Sequence, residues 1–560
     1  MNCSKRLSAL AIVLLLVTTH LFASSEPMRG RHGMVASQKM LASEAGLGVL
    51  RDGGSAVDAA VATGLALAVT LPRAGNIGGG GFMVFRAANG DAITYDFREK
   101  APAAATAEMF TKDGEYSWEL HHASGRAVGI PGTVAGFYLA WQEHGKLPWS
   151  RVVAPAIALA RDGIVVTDDM ERSLIIRRPT WKGHPGTLAQ FTKNAEPYRA
   201  GDIIKQPDLA DTLERIAESG PAGFYEGETA RLIVEEMKRV DGLMTLDDLK
   251  GYQAKKRAPI RGTYRGYEII SMPPPSSGGV AIVQILNILE GFDMDAMGLH
   301  SARSVHVIVE SMRRAFADRA RFMGDPDFNP DIPIERLTSK DYANRLRPTI
   351  DLDRASTSST TGFEWPTESP ETTHFSVVDG ERNAVSVTYT IERPFTVVTG
   401  AGFLLNSELG DFNGAPGLTN TAGLIGTAPN LAAPGKRPLS SMSPTIVAKD
   451  GELFMVTGSP GGRTIINTVV QTILHTVDYG LNAQDAIDAG RFHHQWLPDR
   501  IRIEENRFSL DTLSLLRAQG HAFQLTTAIG CAQVIVYNSE EEVFEGGSDL
   551  RHRDGGVAAY

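Results

Sequence analysis

Two short stretches constrain this chain more than any others: Glu371-Thr372-Thr373-His374-Phe375-Ser376-Val377-Val378-Asp379 and Asn383-Ala384-Val385-Ser386-Val387-Thr388-Tyr389-Thr390. Each alternates side chains at period two and is rich in β-branched residues. Gly380-Glu381-Arg382 separates them, so the pair predicts a β-hairpin. Residues 349–371, immediately before it, are dominated by Ser, Thr, Pro and acidic residues, with the run Ser356-Thr357-Ser358-Ser359-Thr360-Thr361 at their middle. Such a composition buries too little apolar surface to order itself. A flexible tether from about residue 350 to 371 is therefore expected to run straight into a strand that begins with a hydroxyl residue.

That arrangement suits one kind of chemistry. Cutting the bond between Glu371 and Thr372 would make Thr372 the first residue of a new chain, with its hydroxyl and its own free α-amine on adjacent carbons. An α-amine has a pKa of roughly 8, so near neutral pH an appreciable fraction is unprotonated and the hydroxyl has a base built in. The plainer reading is that Thr-Thr merely opens a strand, and hairpin and linker by themselves leave both readings open.

Longer motifs decide between them. ETTHFSVVD and NAVSVTYT, then RPLSSMSPT at 437–445 and TGSPGG at 457–462, resemble the γ-glutamyltranspeptidase family of self-cleaving N-terminal-nucleophile hydrolases. The resemblance continues through GGSAVDAAVA at 53–62, GNIGGGGFM at 75–83, YDFREKAP at 95–102, VGIPGTVAGF at 128–137, PPPSSGG at 273–279 and RFHHQWLPD at 491–499. It implies an α+β fold, a four-layer αββα sandwich of the N-terminal-nucleophile hydrolase type. A large subunit (26–371) and a small catalytic subunit (372–560) would be interleaved in one domain, whereas length alone would suggest ~3 to 4 domains.

The 560 residues are 42% hydrophobic and 21% charged with a formal net charge of −10, which suits a large globular core. The negative balance, without a basic stripe, argues against nonspecific nucleic-acid or anionic-membrane binding. Lys5 and Arg6, the apolar residues 9–17, and Ala23-Ser24-Ser25 read as a secretory signal peptide over residues 1–25, so a periplasmic or secreted location is expected. Cys3 would leave with it, and Cys531 then has no intrachain partner.

Along the chain, residues 34–70 read as two helices, the second N-capped by Ser55. GNIGGGGFMVF lacks the Gly-Lys-Ser/Thr ending of a phosphate loop and reads as glycines that permit close backbone approach, followed by a strand. Residues 128–343 read as mainly helical, with Leu209, Leu213 and Ile216 at helical spacing and a capping pattern from Thr245 to Asp248. No chemistry is assigned to them beyond one wall of a pocket, and PPPSSGG reads as a rigid turn. His121-His122 and His493-His494 read as adjacent pairs whose side chains diverge in a strand, without the spacing of a zinc site. No metal is expected, and the resemblance implies no cofactor.

The family's functional residues carry over as follows. Thr372 matches the nucleophile and Thr390 the threonine that orients it. Gly461 and Gly462 match the oxyanion hole, where backbone N–H groups meet the developing negative charge. Arg98 and the pair Ser440 and Ser441 match the groups that hold the α-carboxylate of a glutamyl substrate. Read from residues alone, Arg98 between Asp96 and Glu99 is also a candidate internal ion pair. Glu392, Glu408 and Asp411 match the groups around the α-ammonium, so that Arg98 at one end and acids at the other would read a zwitterionic head. Residues 429–435 match the position of a lid found in some members.

The activity so implied has two stages: autocleavage between Glu371 and Thr372, then transfer of the γ-glutamyl group of glutathione and related compounds to water, amino acids or dipeptides through a γ-glutamyl-threonine ester. A cephalosporin or glutaryl acylase with the same nucleophile is one alternative. An uncleaved, non-catalytic binding homologue is another. No convincing G-x-S-x-G or S-x-x-K site supports the common serine hydrolase classes.

Overall fold

A computed structural model describes residues 25–358, 371–393, 396–416 and 428–560. The expected hairpin is present, with strands Thr372–Asp379 and Ala384–Thr390 paired antiparallel. It sits at the centre of a seven-stranded antiparallel sheet in the order Lys255–Arg257, Ala92–Phe97, Gly80–Arg86, Ala384–Thr390, Thr372–Asp379, Gly33–Ser37, Gly556–Ala559. A second seven-stranded sheet runs Met28–Gly30, Val543–Ser548, Gln533–Asn538, Glu452–Gly458, Thr445–Lys449, Tyr267–Ser271, Ile260–Tyr264. Both sheets mix strands from before and after residue 371. A break there would cut one bond and leave the two pieces hydrogen-bonded strand to strand.

Period-two alternation decides what each hairpin residue faces. Phe375, Val377, Val385, Val387 and Tyr389 pack into a core shared with helices Met40–Arg51 and Ala56–Thr70. Val378 and Ala384 join Met34, Ala36 and Val84 against Ile270, Ile446, Val456, Ile535 and Phe544 of the second sheet. Helices Gly278–Leu289 and Thr464–Val477 cover the outer face of that sheet around Ile269, Val447, Met455 and Val534. The result is helix, sheet, sheet, helix: the four-layer αββα sandwich.

The face of the hairpin between the sheets changes character along its length. Its directly opposed pairs run Val378 with Ala384, Ser376 with Ser386, His374 with Thr388, Thr372 with Thr390. The apolar end fills the inter-sheet core. The polar end binds backbone of the second sheet, Ser376 Oγ donating to Gln533 O at 3.1 Å and Ser386 Oγ to Thr457 O at 3.0 Å. The inter-sheet layer therefore turns polar toward Thr372.

Two readings are corrected. Residues 34–70 are not only helical: Gly33–Ser37 is a strand, buried along its whole length between two neighbours, so Met34, Val35 and Ala36 carry no polar alternation that would reveal it. His121 and His122 do not diverge in a strand. They end a short helix, Trp118–His122, with ring centroids 4.1 Å apart. Other readings hold: Ser55 caps Ala56–Thr70 in a capping box with Asp58, and Thr245 does the same with Asp248. A Cβ on Gly79 would lie 2.1 Å from Thr390 O, so the glycine run does permit close backbone approach.

Of the expected tether, residues 355–358 are held to the body. Ala355 N donates to Gln519 O, Ser356 N to Glu310 Oε1 and Ser358 N to Asp499 Oδ2. Residues 359–370 lie outside the described residues, as do residues 1–24 of the expected signal peptide. No helix among the described residues is long and apolar enough to cross a membrane.

Candidate active site

Thr372 and Thr390 are both buried and face each other across the hairpin, Oγ1 to Oγ1 3.4 Å. Thr390 Oγ1 donates to the Glu371 carbonyl oxygen at 3.0 Å and accepts from Glu392 N at 2.9 Å. The Glu392 backbone is left-handed, φ +53°, an uncommon conformation for a non-glycine residue and one found at functional sites. Asn76, from the glycine-rich loop, fixes the same strand end by donating to Thr390 O at 3.0 Å while accepting from Gly79 N and Thr133 Oγ1.

Arg98 follows strand Ala92–Phe97 and is fully buried. Its Nη1 pairs with Glu408 and its Nη2 with Asp411, and Glu99 Oε2 lies 3.5 Å from Nη1. Glu408 and Asp411 share one 3₁₀ turn, Glu408–Asp411, so both carboxylates reach the same guanidinium. Arg98 and two of the acids are thus in direct contact rather than at separate ends of a pocket, so the groups matched to the α-carboxylate and to the α-ammonium adjoin. The internal ion pair and the candidate site are the same group of atoms. Glu392, Glu408 and Asp411 each offer a carboxylate oxygen within 4.8 Å of the others.

Three carboxylates meet one guanidinium, and Glu392 lies beside two of them. Burial pushes the Glu99 carboxyl up to about 8 despite Arg98 beside it, and burial likewise holds Glu408 well above the usual carboxylate range. The same acids hold Arg98 firmly protonated, against the opposing effect of its burial. Such a cluster favours an added proton or an added cation.

Arg98 also touches the segment that carries the serine pair, with Nε donating to Pro438 O at 3.2 Å and Nη2 to Leu439 O at 3.3 Å. Ser440 is fastened by PPPSSGG: its N donates to Pro275 O, and Ser277 donates to its carbonyl through both N and Oγ at 2.8 Å. The turn reading for PPPSSGG stands, with a buttressing role that sequence reasoning missed. Arg319, inside the stretch to which no chemistry was assigned, donates from Nη2 to Ser441 Oγ at 2.9 Å. In the expected lid position, Asn430 ties two parts of the site together, donating to Asp411 O at 2.7 Å and accepting from Leu439 N at 2.9 Å. Residues 417–427, just before it, lie outside the described residues.

Gly461 and Gly462 have φ of +130° and +59°, conformations that glycine adopts without strain. Gly461 lines one cleft together with Glu371, Arg73, Arg177 and Cys531. Arg73 Nη1 lies 3.4 Å from Glu371 Oε2, and Arg177 pairs with the other carboxylate oxygen. Sequence reasoning missed Arg73 and Arg177, as it missed Glu99. Arg73 and Arg177 are about two hundred to three hundred positions from Glu371, and only chain folding brings them together.

Residues 42–560 match the family model described as Gamma-glutamyltranspeptidase. The chain belongs to the γ-glutamyltranspeptidase family. A protein named glutathione hydrolase proenzyme from Escherichia coli (strain K12) is 49% identical over 541 residues, covering 95% of this chain and 93% of that protein. The structure of a γ-glutamyltranspeptidase from Helicobacter pylori is 44% identical and covers 57% of this chain and 91% of its own, with a TM-score of 0.56. A cephalosporin acylase structure from Bacillus halodurans covers 98% of this chain and 99% of its own, with a TM-score of 0.84 at 27% identity. The shared sandwich thus extends to acylases, while the higher identities lie with γ-glutamyltranspeptidases.

Proposed function

We propose that Thr372 is the nucleophile of a self-cleaving γ-glutamyltransferase and glutathione hydrolase. The observation that carries this reading is the placement of Thr390, whose hydroxyl contacts both the Glu371 carbonyl and the Thr372 hydroxyl. In the precursor, Thr372 Oγ attacks the Glu371 carbonyl and the carbon–nitrogen bond breaks. The nitrogen of Thr372 takes up the proton as the ester forms. Water then hydrolyses the ester, leaving a carboxylate on Glu371 and a free amine on Thr372. Residues 26–371 and 372–560 form a heterodimer held by the shared sheets.

In the processed enzyme the Thr372 α-amine accepts the proton of its own hydroxyl as Oγ attacks the γ-amide of glutathione or a related γ-glutamyl compound. N–H groups at Gly461 and Gly462 receive the negative charge on the carbonyl oxygen, and the amine takes the proton as it leaves. Water, or the amine of an amino acid or dipeptide, then opens the γ-glutamyl ester. Arg98, Ser440 and Ser441 hold the α-carboxylate, and Glu392, Glu408 and Asp411, whose carboxylate oxygens lie within 4.8 Å of one another, hold the α-ammonium. No nucleic acid takes part, and residues 1–25 direct the chain to the periplasm or outside.

The acylase reading shares the fold and the nucleophile. A glutaryl group, however, brings no ammonium to the clustered carboxylates of Glu392, Glu408 and Asp411, so it forgoes the contacts that this acidic cluster offers a cation. A denaturing gel and amino-terminal sequencing of the smaller fragment test the proposal, with Thr372 the expected first residue. Another first residue, or full γ-glutamyl turnover by a chain that stays whole, overturns it.

A further inference from the structure

The serine pair is gripped from two sides. Arg98 reaches the carbonyls of Pro438 and Leu439, just before the pair. Arg319 approaches from the other side, from the last turn of helix Ala302–Phe322. Its Nε donates to Ser277 Oγ at 2.8 Å and its Nη2 to Ser441 Oγ at 2.9 Å. Arg319, Ser277, Ser440 and Ser441 are all buried. The chain just beyond the same helix holds the neighbouring backbone, with Asp325 Oδ2 accepting from Arg437 N at 2.8 Å and Asn329 Nδ2 donating to Pro429 O at 3.0 Å.

A hydroxyl has one proton to donate and two lone pairs to accept with, whereas a guanidinium only donates. Arg319 therefore fills a lone pair on Ser441 and leaves that hydroxyl's proton for another acceptor. Ser440 is committed in the same sense, because its Oγ accepts from Met442 N at 3.1 Å. Ser277, accepting from Arg319, donates its own proton to Ser440 O. Arg319 thus sets the donor sense of the Ser441 hydroxyl and, through Ser277, holds the Ser440 backbone, while Met442 N sets the donor sense of the Ser440 hydroxyl. Two adjacent hydroxyl donors beside a buried cation suit a carboxylate, since hydrogen bonds to a charged partner are the stronger kind.

The geometry points to Arg319 as a positioning residue for recognition of the substrate α-carboxylate, acting through Ser441 directly and through Ser277 on Ser440. This rests on the proposed γ-glutamyl reading. Arg319 lies on the large-subunit side of residue 371 and the serines on the small-subunit side, so the carboxylate site is built across the cleavage point. Lysine cannot replace it fully, because one ammonium does not match the two-pronged fork.

The test uses three p-nitroanilides on the processed enzyme in initial-rate assays: γ-glutamyl, glutaryl (carboxylate without ammonium) and 4-aminobutyryl (ammonium without carboxylate). In Arg319→Met, kcat/KM should fall roughly tenfold to a hundredfold for the two carboxylate-bearing donors, mainly through KM, and change less than about twofold for the third. Arg319→Lys should recover part of the loss. Ser277→Ala, which leaves Arg319 in place, should shift the same selectivity by a smaller factor and serves as the readout if Arg319→Met does not yield two fragments. Equal losses on all three donors, or no loss on the γ-glutamyl donor, overturn the assignment. If the wild-type enzyme does not prefer the γ-glutamyl donor to both truncated ones, the functional reading fails instead.

Discussion

Thr390 stands directly opposite Thr372 in the hairpin register, and its hydroxyl lies 3.0 Å from the Glu371 carbonyl and 3.4 Å from Thr372 Oγ1. One side chain therefore touches both the hydroxyl proposed to attack and the carbonyl proposed to be attacked. Adjacent strands make this contact automatic once the register is set. The register is held by the same alternation that buries Phe375 and Val377 on the opposite face.

Replacing the nucleophile should stop both stages. Thr372→Ala is expected to run as a single full-length band on a denaturing gel and to release no p-nitroaniline from γ-glutamyl-p-nitroanilide. Two normal fragments from that variant would remove Thr372 from its role.

Thr390→Ala takes away the donor to the scissile carbonyl. Losing one such donor costs about 2.7 to 4 kcal/mol in comparable sites, so processing should slow by roughly 10² to 10³-fold. The half-life of the precursor band measures this, and a value within a factor of two of wild type would exclude the contact from the reaction.

Arg98→Lys should raise KM for γ-glutamyl donors at least about tenfold, because a point charge does not reproduce a fork. It should also lower thermal stability, since one ammonium cannot bond both Glu408 and Asp411 as the guanidinium fork does. Unchanged KM and unchanged melting temperature would together contradict the arrangement described for Arg98.

Acid should destabilise the fold before carboxylates of ordinary pKa titrate. Burial pushes His374, His475 and His493 down to about 3, from roughly 6.5 in an unfolded chain. Above pH 6.5 neither state binds the proton. As pH falls from 6.5 toward 3, the unfolded chain gains protons that the fold excludes, and each histidine removes ~1.4 kcal/mol of stability per pH unit. Glu99 acts oppositely: its raised value means stability is lost as pH climbs from about 4.5 to 8. Thermal melts between pH 8 and 4.5 should show the histidine loss dominating below pH 6. A melting temperature flat from pH 6.5 to 4.5 would contradict it.

Donor preference separates the two enzyme readings. The enzyme should favour γ-glutamyl-p-nitroanilide over glutaryl-7-aminocephalosporanic acid by at least about a hundredfold, because a site built around an ammonium rejects a ligand that lacks one. The reverse preference would favour the acylase.

The candidate site was legible through the family resemblance because the motifs that carry it are local. A strand that begins with Thr372, a glycine pair at 461–462, two acids three apart at 408 and 411, and two adjacent serines are each confined to a few positions. Where the reading failed, the signal was absent. Gly33–Ser37 is covered on all sides and shows no polar alternation, and His121 and His122 sit in a helix too short to display a period.

The sequence by itself determined the chemistry on offer: a hydroxyl that can become a chain terminus, flanked by strands whose alternation sets which face it occupies. Tertiary structure alone decided the electrostatics. Arg98 meets Glu408 and Asp411 about 310 positions away, Arg319 meets Ser441, and Arg73 and Arg177 meet Glu371. Alternation and local turns act over a few residues and are written in their order. The pairing of buried charges depends on which surfaces packing brings together, and no local pattern specifies that.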